Sequence, residues 1–131
     1  MADSLDELLE QARAASRRAY CPYSNFHVGA AIRAGGRVFT GANVENASYG
    51  LTVCAERTAA FAAVLADAGR FEAIAVSCAD APPGSDPEGM MPCGACRQVL
   101  SEFADPETPV IVDGVGTMTL ADLLPRAFRL R

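Results

Sequence analysis

The chain of 131 residues contains no lysine. That absence excludes Schiff-base chemistry through a lysine amine and removes the phosphate-binding lysine of a P-loop. Histidine occurs once, at His27, so any Ser-His-Asp or Cys-His mechanism would have to run through that residue. Positive charge is scarce as well. A net charge of −5 and a pI near 4.7 leave no basic stripe for sequence-independent phosphate contacts, which excludes long nucleic acid as an expected partner. No apolar run reaches membrane-spanning length. The stretch Met1–Glu7 is acidic and lacks both a basic n-region and an apolar h-region, so the expected address is the cytoplasm, with no membrane partner. Five cysteines, an odd number, fit a metal site in a reducing compartment better than a disulfide framework.

Three of those cysteines and one glutamate carry the chemistry: Cys54-Ala55-Glu56, and further along Pro92-Cys93-Gly94-Ala95-Cys96. The pattern resembles the signature of the zinc deaminases, a His or Cys two residues before a Glu and then Pro-Cys-x-x-Cys. The residues support a zinc ion (Zn²⁺) on their own chemistry. Zinc takes four ligands, and a catalytic site keeps one position for water, so three protein ligands suit hydrolysis. Cys54, Cys93 and Cys96 supply three, and the spacing of Cys93 and Cys96 puts both thiols on one face of a helix starting there. Residues 55–66, closed by Gly69, and residues 97–103 are rich in helix formers, so both cysteine segments read as helix starts. Helix N-termini favour thiolates.

Three thiolates around a divalent ion leave a net charge of minus one, which opposes ionisation of water there, so a cation should stand nearby. Arg57, one turn from Cys54, is the residue expected to donate to a ligand sulfur; Arg97, one turn from Cys93, reads more simply as a solvated or ion-paired arginine. Glu56 is the expected proton shuttle. The main competitor is a noncatalytic zinc-binding module, in which His27 closes the fourth position and makes the metal structural. His27 otherwise reads as a strand residue without a chemical role, and Cys21 and Cys78 as small buried hydrophobes.

The chain reads as one domain, 1–131, long enough to bury a core. A helix begins at Ser4 and runs to about Ala19, before Pro22. Strands 26–33 and 38–43 are joined by a turn at Ala34-Gly35-Gly36, and a polar loop, 45–50, leads to the Cys54 helix. A strand, 71–78, precedes Pro82–Gly89, whose composition forbids regular structure and which reads as a connector or a flap over the pocket. The Cys93 helix, strands 109–112 and 117–120 with a turn at Asp113-Gly114, and a short helix, 121–124, complete the order. This succession implies an α/β fold with a mixed sheet and helices on its faces. The helix starts that follow strands gather at one sheet edge, where open α/β sheets bind ligands.

Beyond the metal signature, Pro22-Tyr23-Ser24, Phe26–Ala31, Gly41–Tyr49, Cys54–Ala59, Pro92–Leu100 and Leu123-Leu124-Pro125 with Phe128 together resemble the small homotetrameric cytidine deaminases, in that family's order and over almost the whole chain. The resemblance implies a three-layer α/β/α fold with a central mixed sheet of about five strands. It implies zinc-dependent hydrolytic deamination of cytidine and 2′-deoxycytidine to uridine and 2′-deoxyuridine with release of ammonia, in pyrimidine salvage. One zinc per subunit would be held by Cys54, Cys93 and Cys96, with Glu56 moving the protons. Asn43 and Glu45 would hold the ribose 3′-hydroxyl, Phe26 would pack on the pyrimidine, and Ala55 would offer main-chain groups to the exocyclic amine. Tyr49 and Phe128 would reach the ligand across subunit boundaries of a homotetramer with shared active sites. A blasticidin-type aminonucleoside deaminase shares the metal signature and is the rival within the same chemistry; the run Asn43-Val44-Glu45-Asn46 speaks for a plain nucleoside. The short tail Phe128–Arg131 leaves contacts beyond Phe128 unassigned.

Overall fold

The structure is a computed structural model and describes residues 4–130. Met1–Asp3, the start of the acidic N-terminal stretch, and Arg131, the end of the tail, lie outside the described residues.

Helix α1 (Leu5–Ser16) opens on a reciprocal cap. The Ser4 hydroxyl accepts from the Glu7 N–H at 3.1 Å, and the Ser4 N–H donates to Glu7 Oε1 at 3.0 Å, satisfying donors that a helix start leaves orphaned. The helix ends before the expected Ala19, because the chain turns to pair Tyr20 with Val44 and the Tyr20 N–H is taken by the Asn43 carbonyl at 2.9 Å. Strands β1 (Val28–Ala34) and β2 (Arg37–Ala42) form a hairpin whose two turn residues, Gly35 and Gly36, have φ of +59° and +75°, the left-handed region that such a turn requires. Next come α2 (Ala55–Leu65), β3 (Phe71–Cys78), α3 (Gly94–Phe103), β4 (Pro109–Val112), β5 (Gly116–Thr119) and α4 (Leu120–Leu123).

The sheet order is β2-β1-β3-β4-β5. Within it β3 and β4 pair in parallel, and the other neighbouring strands pair antiparallel. Alternation along the strands divides the core into two layers. Ala31, Ala73, Ala75 and Ile111 meet Leu8, Leu9 and Ala12 of α1 on one face. On the other, Ile32, Ile74, Val76 and Val110 meet Ala55, Ala59, Ala63 and Leu100 of α2 and α3. Burial of each such Leu, Ile or Val contributes about 1.5–3 kcal/mol. Helices therefore cover both faces of a five-stranded mixed sheet, as expected from the sequence.

Two glycines allow the helices to lie this close. A Cβ on Gly29 would stand 1.9 Å from the Ala12 carbonyl oxygen, and one on Gly41 would stand 2.4 Å from the Ala59 nitrogen and 2.6 Å from the Ala55 oxygen. The second contact seats the start of α2 on β2.

Several boundaries differ from the sequence reading. Strand β1 starts at Val28 rather than Phe26, because the Phe26 carbonyl and the Val28 N–H are taken by the Asn43 side chain instead of a ladder partner. Strand β5 and α4 each begin a residue early, since Thr119 caps α4 in a reciprocal pair with Asp122. The Pro82–Gly89 stretch is not wholly irregular: a 3₁₀ turn, Pro87–Met90, forms where the Asp86 side chain accepts from the Glu88 N–H. A second 3₁₀ turn, Tyr49–Leu51, interrupts the polar loop before Cys54. Among the described residues, no helix is long and apolar enough to cross a membrane.

Candidate functional site

Strands β2 and β3 are both antiparallel to β1, so they run in the same direction and their C-terminal ends share one edge of the sheet. The segments that leave them deliver the starts of α2 and α3 to that edge. Cys54 is the N-cap of α2 and Cys93 the N-cap of α3, and neither thiol is used to cap its own helix. The sulfurs point toward each other instead. Cys54 Sγ lies 3.8 Å from Cys93 Sγ, Cys93 Sγ lies 3.4 Å from Cys96 Sγ, and all three fall within 4.8 Å of one another. A tetrahedral zinc with Zn–S bonds of about 2.3 Å has sulfurs about 3.8 Å apart, so the set fits zinc. Among the described residues this is the group able to hold a metal ion, and His27 does not belong to it.

The electrostatics follow from the crowding of sulfur. Cys54 is drawn down to about 5, chiefly by the thiol of Cys96 donating to it and then by Arg57, against burial, which pushes it up. Arg57 Nη2 donates to Cys54 Sγ at 3.5 Å, as expected of that residue. The Cys96 thiol is pushed strongly upward, first through its bond to the Cys54 sulfur and then by burial: a thiol beside a thiolate keeps its proton. Arg97 takes a different role, its Nε donating to the Pro92 carbonyl and its Nη1 to the Leu123 carbonyl, both at 2.8 Å. It ties the turn before Cys93 to α4.

Glu56, in the first turn of α2, is 4 % exposed. Burial, followed by the charge of Cys54, raises its carboxyl to about 7. It faces a cavity of about 430 Å³ whose walls include Phe26, Asn43, Glu45, Tyr49, Cys54, Ala55 and Cys93. The structure thus brings together all but one of the substrate-contacting residues expected from the sequence. The exception is Phe128, which is 68 % exposed and lies outside this cavity, with its carbonyl accepting from Gln98 Nε2 at 3.0 Å. Tyr49 stands on the rim of the cavity of its own chain, 90 % exposed.

Asn43 and Glu45 are engaged within the protein. Asn43 Nδ2 donates to the Phe26 carbonyl at 2.8 Å, and its Oδ1 accepts from the Val28 N–H at 2.9 Å. Glu45 Oε1 accepts from the Tyr23 and Ser24 N–H groups at 3.0 and 3.1 Å, and Oε2 accepts from the Ser24 hydroxyl. The hydroxyl and the two amides hold the Glu45 carboxyl below its usual range. A second cavity, of about 420 Å³, continues past Glu45 between Tyr23, Asn46 and Tyr49.

The sequence reading missed part of the wall. Ser24, Val28, Thr52, Val76, Cys78, Met90 and Met91 also line the main cavity. Cys78 is half-buried rather than fully buried; its thiol donates to the Met90 carbonyl at 3.7 Å, and burial pushes it up to about 11. Ser24 and Val28 stand in stretches that carry the resemblance, without a role read for them; Cys78, Met90 and Met91 carry no local mark, because they meet only where β3 ends beside the 3₁₀ turn. Cys21 is buried, as expected.

The chain is similar to known proteins over most of its length. The family model described as "Cytidine and deoxycytidylate deaminase zinc-binding region" matches residues 2–112. A cytidine deaminase of Sporosarcina psychrophila is 42 % identical over 130 residues, 95 % of this chain and 90 % of that protein. One from Mycobacterium tuberculosis is 49 % identical over 117 residues, 88 % of this chain and 83 % of that protein. The crystal structure of cytidine deaminase from Burkholderia pseudomallei superposes with a TM-score of 0.84 at 46 % identity, covering 96 % of this chain and all of that one. With three thiols at zinc spacing on that shared fold, the chain belongs to the cytidine and deoxycytidylate deaminase family defined by this zinc-binding region.

Proposed function

We propose that the protein is a zinc-dependent hydrolase converting cytidine and 2′-deoxycytidine to uridine and 2′-deoxyuridine with release of ammonia, the chain 1–131 acting as one domain. The observation that carries this reading is the convergence of three thiols from two helix starts beside one buried glutamate in a walled cavity. Cys54, Cys93 and Cys96 would hold one zinc per subunit. When bound, zinc supplies Lewis acidity that makes water nucleophilic near neutral pH.

The protein's own groups do the rest. Glu56, raised to about 7, is matched to carrying two protons in turn: one from water to ring N3, and a second from the hydroxyl added at C4 to the departing amine. Arg57 offsets sulfur charge through its bond to Cys54. Phe26 packs on the pyrimidine, and the main chain at Ala55 meets the exocyclic amine. Asn43 and Glu45 take the ribose 3′-hydroxyl: beyond its internal bonds Asn43 keeps one N–H and one lone pair, and the Glu45 oxygens keep acceptor capacity. Among the described residues, the carboxylates lining the cavity are those of Glu45 and Glu56, and no arginine joins them. That supports an unphosphorylated nucleoside over a nucleotide, since a phosphate would meet like charge.

The exposure of Phe128, Leu130 and Tyr49 supports an assembly of subunits, here a homotetramer in which Phe128 and Tyr49 reach a neighbour's ligand; the proposed reaction is one of pyrimidine salvage, in the cytoplasm. Sedimentation showing an active monomer refutes the tetramer. For the reaction, the loss of cytidine ultraviolet absorbance is followed with zinc-loaded and chelator-stripped protein. Glu56→Gln keeps its zinc while turnover falls about 10²–10⁴-fold; near-normal turnover in that variant defeats the mechanism. A preference for a blasticidin-type aminonucleoside overturns the substrate, and zinc binding without any nucleoside turnover restores the noncatalytic reading.

A further inference from the structure

The cavity wall at Phe26–Val28 precedes β1, and yet its backbone is held on both sides. Asn25, with φ of 57°, turns the chain into it. On the β2 side, the Asn43 side chain grips the Phe26 carbonyl and the Val28 N–H. The residue between them faces the other way, as alternate residues of an extended chain do. The His27 carbonyl accepts from the Ala79 N–H at 3.0 Å. The His27 N–H donates to Asp80 Oδ2 at 2.7 Å, and His27 Nδ1 lies 2.7 Å from the same oxygen. Asp80 stands two residues beyond the end of β3, where regular pairing has stopped, so its carboxylate provides the acceptor that the next ladder carbonyl would have been. Both bonds are charge-assisted, and the two His27 donors hold the Asp80 carboxyl below its ordinary range.

We propose that Asp80 is a positioning residue for nucleoside binding: it clasps His27 opposite Asn43, so that Phe26 and Val28 keep their places in the cavity wall. The inference deepens the proposed function and rests on it for the identity of the ligand. Asp80 also stands two residues after Cys78, itself in the cavity wall, so its carboxylate ties the Phe26–Val28 wall to the end of β3. The reacting groups are held elsewhere, on α2 and α3. Loosening the clasp therefore weakens ground-state and transition-state binding alike, which raises KM and leaves kcat in place.

The test compares Asp80→Ala, Asp80→Asn and His27→Ala in the zinc-loaded protein with cytidine as the probe. Asp80→Ala raises KM about fivefold, less than the full loss of a charged hydrogen bond because His27 and Asp80 are both partly exposed to solvent, with kcat and zinc stoichiometry within about twofold of the parent. Asp80→Asn, which keeps an acceptor oxygen, recovers most of the loss, and His27→Ala, which keeps the backbone bond, shows the smaller effect. Hydrogen exchange at the His27 amide accelerates in Asp80→Ala whether or not substrate is turned over. An unchanged KM in Asp80→Ala, or kcat and zinc content falling together, overturns the proposal. Where Asp80→Ala does not accumulate, Asp80→Ser is read in its place; failure of both to fold makes Asp80 structural and also overturns it. Parent protein that leaves cytidine untouched defeats the proposed function instead, and the exchange rates still decide whether the clasp exists.

Discussion

Gly41→Ala, a change of one methyl group outside the cavity, is expected to damage the metal site. A Cβ at Gly41 would stand 2.3 Å from Thr58 Oγ1, 2.4 Å from the Ala59 nitrogen and 2.6 Å from the Ala55 oxygen. The last two are helix backbone and cannot rotate aside. Restoring ordinary contact moves the start of α2 outward by about 1 Å, given that ordinary van der Waals contact of a Cβ begins at 3.4 Å. Cys54 is the residue that caps this helix, so its sulfur travels with it, whereas metal–ligand distances tolerate only about 0.2 Å. Overpacking of this kind costs about 1–3 kcal/mol, which for a chain of this length lowers Tm by about 5–10 °C. Zinc affinity, measured by competition with a chromogenic chelator, falls by about tenfold or more. Gly50→Ala is the control, since a Cβ there meets nothing within 4 Å, and it keeps the parent affinity. A Gly41→Ala protein with parental zinc affinity and Tm refutes the reasoning, because α2 would then not be seated by that contact.

Arg57→Ala removes a donor to Cys54 Sγ, so in chelator-stripped protein the pH profile of Cys54 alkylation moves upward from its midpoint near 5, by about one unit; a profile that superimposes on the parent's removes the bond from the account. Arg13 donates through Nε and Nη2 to the two oxygens of Asp113 at 2.8 and 2.7 Å, and with help from Ser77 it holds that carboxyl below its usual range. A depressed folded-state pKa contributes stability above the unfolded value near 4 and loses it as pH falls through the folded value. Arg13→Ala is accordingly less stable at pH 7, by about 1 kcal/mol or less because the guanidinium is solvated, and the gap narrows toward pH 3. Urea unfolding at both pH values checks this, and a gap independent of pH counts against the pair.

The chemistry was legible in the sequence because its information is local. A Cys-Ala-Glu and a Cys-Gly-Ala-Cys, each followed by helix formers, specify thiol spacing and helix starts within a dozen residues. Element types were legible for the same reason: Ser4 as a helix start, the Gly35-Gly36 turn and the β-branched run before Cys78 each act over one or two turns of chain. Boundaries were less so where distant groups compete for the backbone, as Asn43 and Asp80 do on either side of β1.

By itself, then, the sequence determined three thiols at a spacing that suits zinc, the helix starts that favour thiolates and a net charge of −5. Tertiary structure alone decided that β1 lies between β2 and β3, which makes those two strands parallel in direction and delivers both cysteine helices to one edge. It alone decided that Cys78, Met90 and Met91 share a wall with Phe26, and that Arg97 turns to the carbonyls of Pro92 and Leu123. The reason is physical: spacing along a chain is set by backbone geometry, which neighbouring residues carry, whereas proximity across a sheet is set by packing, which depends on every layer at once.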